Sequence, residues 1–263
     1  MPEGGATAPI PTYPDLASKV AVVTGGSGGI GAATCRLLAA NGVRVAVNGR
    51  DEAKIDAMVD EIGSDGGQAI GVAADVTDFA AIERMRRRVE QELGSIDVLA
   101  AFAASGGPPP GPTAQITEEE WRSAIDGNLT STFLTLKSFL PAMIERGGGS
   151  IVTMASSAGR VPTPAPTAYA AAKAGVVMLS RQVAVEVGEH GVRVNCLAPD
   201  SILTERTRGF MSEEQRRQWA AMFPLGRMGE PEDVALATLF LASESSSWLT
   251  GVTLDVAGGK IML

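Results

Sequence analysis

At 263 residues with 45% hydrophobic content, the chain is long enough to bury a large core, and its length falls within the range of a single α/β domain. A formal net charge of -8 argues against nucleic acid or an anionic membrane surface as a main partner, because both reward a basic surface. One histidine and two cysteines far apart in sequence exclude His-rich metal chemistry, and any Ser-His-Asp triad would have to use His190 itself.

The Pro-, Gly- and Ala-rich opening, MPEGGATAPIPTYP, lacks the basic and apolar regions of a signal peptide, and residues 1–17 are expected as a flexible N-terminal tail. No uncharged apolar run reaches the roughly 18 residues of a membrane span, so a cytoplasmic chain with reduced thiols is expected. Short β-branched runs then alternate with longer amphipathic segments: VAVVTG at 20–25, VRVAVNG at 43–49, AIGVAADV at 69–76, IDVLAAFA at 96–103, SIVTMAS at 150–156, VRVNCLAP at 192–199 and VTLDVAGG at 252–259. Near-continuous apolar strands with helical stretches between them predict an α/β fold, a doubly wound parallel sheet covered on both faces, in a single domain over 18–263. Two stretches break the alternation. ASGGPPPGP at 104–112 holds too much Gly and Pro for a regular element, and residues 200–228 form an insertion read as a substrate lid.

The first strand runs straight into TGGSGGIG at 24–31, ahead of the helical pattern AATCRLLAANG. Glycines at a strand-to-helix turn let the backbone approach a pyrophosphate, whose charge is stabilised by free N–H groups at the helix N-terminus. Gly25, Gly29 and Gly31 make T-G-x-x-x-G-x-G rather than G-x-G-x-x-G. Further along, TAYAAAK at 167–173 places Tyr169 and Lys173 one helical turn apart on one face, with alanines leaving that face uncluttered.

With these motifs in this order, the chain resembles the short-chain dehydrogenase/reductase family over about residues 18–260. The resemblance rests on the glycine loop, ADV at 74–76, DGNLTSTF with Asn128, SIVTMASSAG with Ser156, YAAAK, PLGRMGEPEDVA and VTLDVAGG. Within the family the pattern is most similar to 3-oxoacyl-[acyl-carrier-protein] reductases and related carbonyl reductases. It implies a Rossmann-type fold and an oxidoreductase that moves a hydride between a nicotinamide cofactor and a small carbonyl or secondary-alcohol substrate. Asn128, Ser156, Tyr169 and Lys173 fall on the family's catalytic positions. Thr24, Gly25, Ser27, Gly29, Ile30 and Gly31 fall on its cofactor-binding positions, as do Arg50, Asp75, Val76, Pro199 and Thr204, with Tyr169 and Lys173 serving both roles. The resemblance also implies a homotetramer and admits an acyl carrier protein as partner. No metal is expected.

In this scheme Tyr169 gives a proton to the developing alkoxide. A free phenol has a pKa of about 10, so serving as base in the oxidative direction costs about 4 kcal/mol at neutral pH, and the Lys173 ammonium is expected to offset this by favouring the phenolate. Ser156 donates to the substrate oxygen, the offset to Tyr169 selecting it over the adjacent Ser157. By resemblance, Lys173 also bonds the nicotinamide ribose and joins a proton relay through water held by Asn128. At the end of the second strand, VAVNGRD, the position where an NAD-selecting site carries a carboxylate is Gly49. Arg50 beside it can pair with a 2′-phosphate, with Asn48 or Ser27 adding a neutral hydrogen bond, so NADP(H) is expected over NAD(H). Asp51 lies one residue away and Gly28 stands where many NADP-dependent relatives carry a second basic residue, so modest discrimination is expected.

Two places depart from the family pattern. Its Asn-Asn-Ala-Gly after the fourth strand is Ala101, Phe102, Ala103 and Ala104 here, with Ser105-Gly106-Gly107 able to supply the bend one step later. Its Pro-Gly after the sixth strand is Pro199-Asp200, where Asp200 is either a carboxylate facing the substrate or a solvated turn residue. These departures are the sole support for a competing reading, a nucleotide-binding or scaffold protein that has lost turnover. Retention of Asn128, Ser156, Tyr169 and Lys173 speaks against it. A dehydratase or epimerase is a third reading, but the length leaves little room for a larger substrate domain. His190 and the arginines of ERMRRRVEQE at 83–92 are read as solvated surface, and Cys196 as strand packing.

Overall fold

Among the described residues seven strands, β1 (Val20–Thr24), β2 (Arg44–Gly49), β3 (Gln68–Ala73), β4 (Val98–Ala101), β5 (Gly149–Met154), β6 (Val192–Pro199) and β7 (Thr253–Val256), pair in the spatial order β3-β2-β1-β4-β5-β6-β7. Every pairing is parallel. The structure, a computed structural model, describes residues 10–105, 107 and 109–263. Each run of β-branched residues in the sequence became a strand, its ends within a few residues of those expected.

These strands read as continuous apolar runs because helices cover both faces of the sheet. On one face α1 (Gly29–Ala40), α2 (Glu52–Ser64) and α9 (Pro231–Ala242) bury Leu38, Ile55 and Leu239 against Val23, Val45 and Val47. On the other, α3 (Phe79–Glu92), α5 (Ser131–Arg146) and α6 (Thr167–Val187) bury Ile82, Phe139 and Val183 against Val20, Val22 and Leu99. Each such side chain contributes about 1.5–3 kcal/mol by leaving water. The seam between the two halves lies between β1 and β4, where successive connections leave in opposite directions, and the crevice at the strand C-termini there is where doubly wound folds bind ligands.

Helix α4 (Glu118–Ile125) opens with a capping box of Thr117 and Glu120 and passes through a π turn, Asp126–Thr130, into α5. Such one-turn widenings interrupt the regular hydrogen-bond ladder and free a backbone group for other work. Within residues 200–228 the expected lid contains two short helices, α7 (Glu205–Phe210) and α8 (Glu213–Ala220), capped by Thr204 and by a Ser212–Gln215 box.

Residues 1–9 lie outside the described residues, as do Gly106 and Pro108 of the 104–112 stretch. The expectation of a flexible tail through residue 17 needs correcting at its inner end. Residues Pro14–Leu16 form a turn of 3-10 helix, Leu16 is fully buried beneath α1, and the Tyr13 N–H donates to Asn41 Oδ1 at 2.7 Å. An apolar side chain beside proline-fixed backbone has less entropy to lose on docking than composition alone suggests.

Candidate active site

Lys173 is tightly held in the predicted site. It lies one turn beyond Tyr169 on α6, is 2% exposed, and its Nζ donates to the Met154 carbonyl at the end of β5 at 2.9 Å. Ala168 and Ala172 on the same helix are completely buried, so the alanines of TAYAAAK serve close helix-to-sheet packing. Ser156 follows β5 in extended backbone, and its Oγ accepts the Ala158 N–H at 3.2 Å, leaving the hydroxyl hydrogen to point elsewhere. Gly159 closes this turn against α6: a Cβ there would lie 2.5 Å from the Lys173 carbonyl carbon. The serine turn and the Tyr-Lys turn are therefore one packed unit.

Burial raises the Tyr169 phenol above its ordinary pKa, with the Ser156 hydroxyl pulling it partly back. The sequence argument had Lys173 lowering it. In the structure the ammonium points to Met154 and stands 5.6 Å from the Tyr169 ring centroid, and burial pushes Lys173 itself down to about 8. Tyr169 is thereby held as an acid.

Asn128 sits in the π turn, fully buried, and its Nδ2 donates to Ala124 O at 2.8 Å and to Ser105 Oγ at 3.1 Å. Its Oδ1 is buried without a hydrogen-bond partner, an acceptor that calls for a donor such as water. Ser105, which sequence reasoning treated only as part of a bend, approaches so closely that a Cβ on Gly127 would lie 2.4 Å from its Oγ. Gly107, at φ +73°, faces the base of Tyr169: a Cβ added there would lie 3.3 Å from the Tyr169 Cβ.

Beside this unit a cleft of about 330 Å³ opens at the C-terminal ends of β1 to β4. Gly25, Ser27, Gly49, Arg50, Asp75, Val76 and Ser105 line it. Gly25 (φ +70°) and Gly29 (φ +51°) take left-handed backbone, and a Cβ on Gly31 would sit 2.1 Å from Gly25 O. Only glycines permit this turn. Ile30 packs under it against the core, and the Thr204 methyl group faces Gly29 from the start of α7. Pro199, buried, ends β6 on the far side of Ser156. Asp75 is turned onto Thr77, accepting its N–H and hydroxyl at 2.8 and 2.7 Å, and these bonds together with Arg50 hold its carboxyl below the usual range.

Three details differ from expectation. Thr24 is 1% exposed and its hydroxyl accepts the N–H groups of Phe102 and Ala103 at 2.9 and 3.0 Å, bracing the strand end that lost the family's asparagines. Asn48 is committed to β3, donating to Val72 O and Ala74 O, and so is not free to meet a phosphate. The space beside Gly49 is filled by Ser27, whose Oγ would lie 2.6 Å from an added Cβ. A residue missed from sequence is Lys54, which lines the cleft four residues beyond Arg50 and brings a second cation. The spacing was the available signal.

His190 is exposed in the turn between α6 and β6. The α3 arginines face acids: Arg86 pairs with Glu83 and Glu90, and Arg88 with Glu92. Cys35 and Cys196 are buried and free. Among the described residues no group of His, Cys, Asp and Glu is placed to hold a metal ion, and no helix is long and apolar enough to cross a membrane. A second cleft, about 560 Å³, lies at the opposite, N-terminal edge of the sheet between Asp97, Arg146, Arg193 and Trp248, and none of the site residues lines it.

A parallel sheet whose winding reverses beside a glycine turn places this protein in the Rossmann class of nucleotide-binding folds. Comparison with known proteins is narrower. A family model described as Enoyl-(Acyl carrier protein) reductase matches residues 25–260. The 3-oxoacyl-[acyl-carrier-protein] reductase FabG of Chlamydia muridarum is 38% identical over 245 residues, covering 93% of this chain and 98% of that protein. D-threitol dehydrogenase of Mycolicibacterium smegmatis is 36% identical over 244 residues, 93% of each chain. The crystal structure of levodione reductase superposes with a TM-score of 0.87 at 30% identity, over 93% of this chain and 98% of that one. The chain belongs to the short-chain dehydrogenase/reductase family of oxidoreductases.

Proposed function

We propose that this protein is an NADP(H)-dependent oxidoreductase acting on a small carbonyl or secondary-alcohol substrate, with Tyr169 as the proton donor. The observation that carries this reading is the packing of Ser156, Tyr169 and Lys173 into one unit beside the glycine-turn cleft.

The residues of the cleft fit a dinucleotide. The turn at Gly25, Gly29 and Gly31 has no room for side chains and leaves backbone to meet a pyrophosphate, Asp75 and Val76 stand at the adenine end, and Arg50 with Lys54 offers cations to a 2′-phosphate. Pro199 and Thr204 would hold the nicotinamide end, and Lys173 and Tyr169 its ribose. Bound nicotinamide supplies or accepts the hydride. The chain's own residues manage the proton. Tyr169 keeps its hydrogen until charge develops on the substrate oxygen, because burial disfavours the phenolate. Ser156, its oxygen engaged by the Ala158 N–H, directs its hydrogen at that same oxygen and stabilises the charge. Lys173 supplies a positive field, and the unpartnered Asn128 Oδ1 can hold the water that returns a proton to it.

A free small molecule fits better than a carrier-bound one, since the α3 arginines are matched by acids and the net charge of -8 repels an acidic carrier. A homotetramer is proposed on the apolar side chains left in the open: Phe133 on α5, Met178 and Val185 on α6, Leu236 on α9 and Leu254 on β7. NADPH oxidation followed by absorbance against a panel of ketones, diketones and β-ketoacyl thioesters tests the reading. Turnover with at least one carbonyl is expected, and no consumption with any of them would favour a scaffold that has lost activity.

A further inference from the structure

Lys260 gathers three separate parts of the chain. Its Nζ donates to Asp200 Oδ1 at 3.0 Å and lies 5.1 Å from the Phe223 ring centroid and 5.8 Å from that of Trp219. Asp200 follows directly on β6 with its side chain only 4% exposed, and the same oxygen accepts the Ser201 N–H at 2.7 Å and hydroxyl at 2.9 Å. It is therefore neither of the alternatives the sequence left open, a carboxylate offered to substrate or a solvated turn residue. Its other oxygen is buried with no hydrogen-bond partner, which makes the carboxylate depend heavily on the one cation it has. The exit of β7 is moulded to this contact: Gly258 and Gly259 take φ +55° and +83°, and a Cβ on either would press on Phe223 or Pro224 at 3.1 or 3.0 Å. Leu225 N–H then donates to Gly258 O at 3.2 Å.

The other end of the insertion is fixed at the cofactor cleft, where Thr204 faces Gly29 and Ile202 bridges Gly229. Residues 205–223 are thus strung between the glycine turn and the Lys260 cluster, with Trp219 and Met222 40% and 47% exposed along the way. Asp200 also stands beside Ser157, the neighbour of Ser156.

We propose that Asp200 and Lys260 are positioning residues for the substrate: their ion pair, stacked on Phe223 and Trp219, seats the α7–α8 segment at the mouth of the Ser156–Tyr169 site and so sets substrate affinity rather than the chemical step. This rests on the oxidoreductase function proposed above. The test compares full-length wild type, Lys260→Met, Lys260→Arg and Asp200→Asn by steady-state kinetics with NADPH and by the rate of tryptic cleavage within 205–223. For Lys260→Met the expectation is a KM raised about tenfold with kcat within about threefold, and cleavage faster by a similar factor, less than the roughly thirtyfold or more of a fully desolvated charge pair because the Lys260 side chain is 29% exposed. Lys260→Arg should recover most of both. An unchanged KM with reduced kcat, or cleavage within twofold of wild type, would overturn the proposal. If Lys260→Met does not fold, Phe223→Leu, which removes only the stacked ring, is read by the same criteria. Absence of turnover by the wild type would sink the proposed function alone, because the cleavage rates would still decide whether the pair seats the segment.

Discussion

Lys173 Nζ and the Met154 carbonyl oxygen meet at 2.9 Å across the seam between α6 and β5, and this bond joins the helix of the proton donor to the strand that delivers Ser156. The ammonium is almost sealed from water, and its pKa falls from 10.5 to about 8 because burial penalises the charge. That shift corresponds to a cost on the order of 3 kcal/mol while the lysine is charged. Lys173→Met is expected to abolish turnover yet stabilise the nucleotide-free protein at pH 7, by up to about 3 kcal/mol in chemical denaturation. Between pH 8 and 10 the unfolded lysine keeps a proton that the folded one has released, so wild-type stability rises with pH from this group and the gap to the variant closes. A variant less stable than wild type at pH 7 would contradict the argument.

The same lysine sets an activity profile. Its positive charge supports the reacting oxygen only below about pH 8, and Tyr169 stays protonated well beyond that. For carbonyl reduction, kcat/KM should be level near pH 6–7 and fall through about pH 8. A profile that rises across that range would mean that neutral Lys173 is the working form.

Tyr169→Phe keeps the aromatic ring and removes the transferable proton. We expect kcat to drop more than tenfold, with nucleotide affinity and melting temperature close to wild type. Retention of more than a tenth of kcat would show that another group gives the proton.

Arg50 is exposed at the cleft with Lys54 beside it, and Asp51 is engaged as the N-cap of α2, accepting the Lys54 N–H at 3.2 Å. A charge-assisted phosphate contact is worth about 1.5–3 kcal/mol, so Arg50→Ala should weaken NADPH roughly ten- to a hundredfold and spare NADH. Titration of both nucleotides against both proteins checks this. Higher kcat/KM with NADH in the wild type would move attention to Asp51.

Gly31→Ala drives a methyl group to 2.1 Å from Gly25 O, which the turn can relieve only by moving backbone. Loss of about 1–3 kcal/mol in stability is expected, together with loss of nucleotide-induced thermal protection. A variant that melts like wild type and still binds nucleotide would show that the turn is not held as described.

The doubly wound parallel sheet was legible in the sequence because its inner strands β1, β4, β5 and β6 are buried nearly throughout, which writes an unbroken apolar run, and the glycines and the Tyr-Lys spacing are local signals. What stayed hidden depends on long-range geometry. Thr24 reads as a cofactor residue until its hydroxyl is seen holding Phe102 and Ala103, more than seventy positions away. Asp200 invites a role at the substrate until Lys260, sixty residues later, is found on it. The direction of the Tyr169 shift turned on where the Lys173 ammonium points, and i to i+4 spacing says only that two side chains share a face. Leu16 was lost in a tail because the stretch leading up to it, residues 1–14, is rich in Pro, Gly and Ala.

Strand β1 is buried along its whole length and lies between β2 and β4, so its two edges are completed at very different times as the chain is made. At about 5–20 residues per second, β2 follows within a few seconds, but β4 is about 75 residues behind and leaves the ribosome roughly 4–15 s later. Throughout that interval a strand of Val-Ala-Val-Val-Thr presents one bare edge of unpaired N–H and C=O groups with no charge or proline to blunt it. The nascent chain is therefore most exposed to mispairing before residue 98 emerges, and a stalled or truncated product ending there should aggregate where one ending after β5 does not. The sheet's spatial order thus acts as a timetable for synthesis, and its vulnerable window lies well before any residue of the Ser-Tyr-Lys unit has been translated.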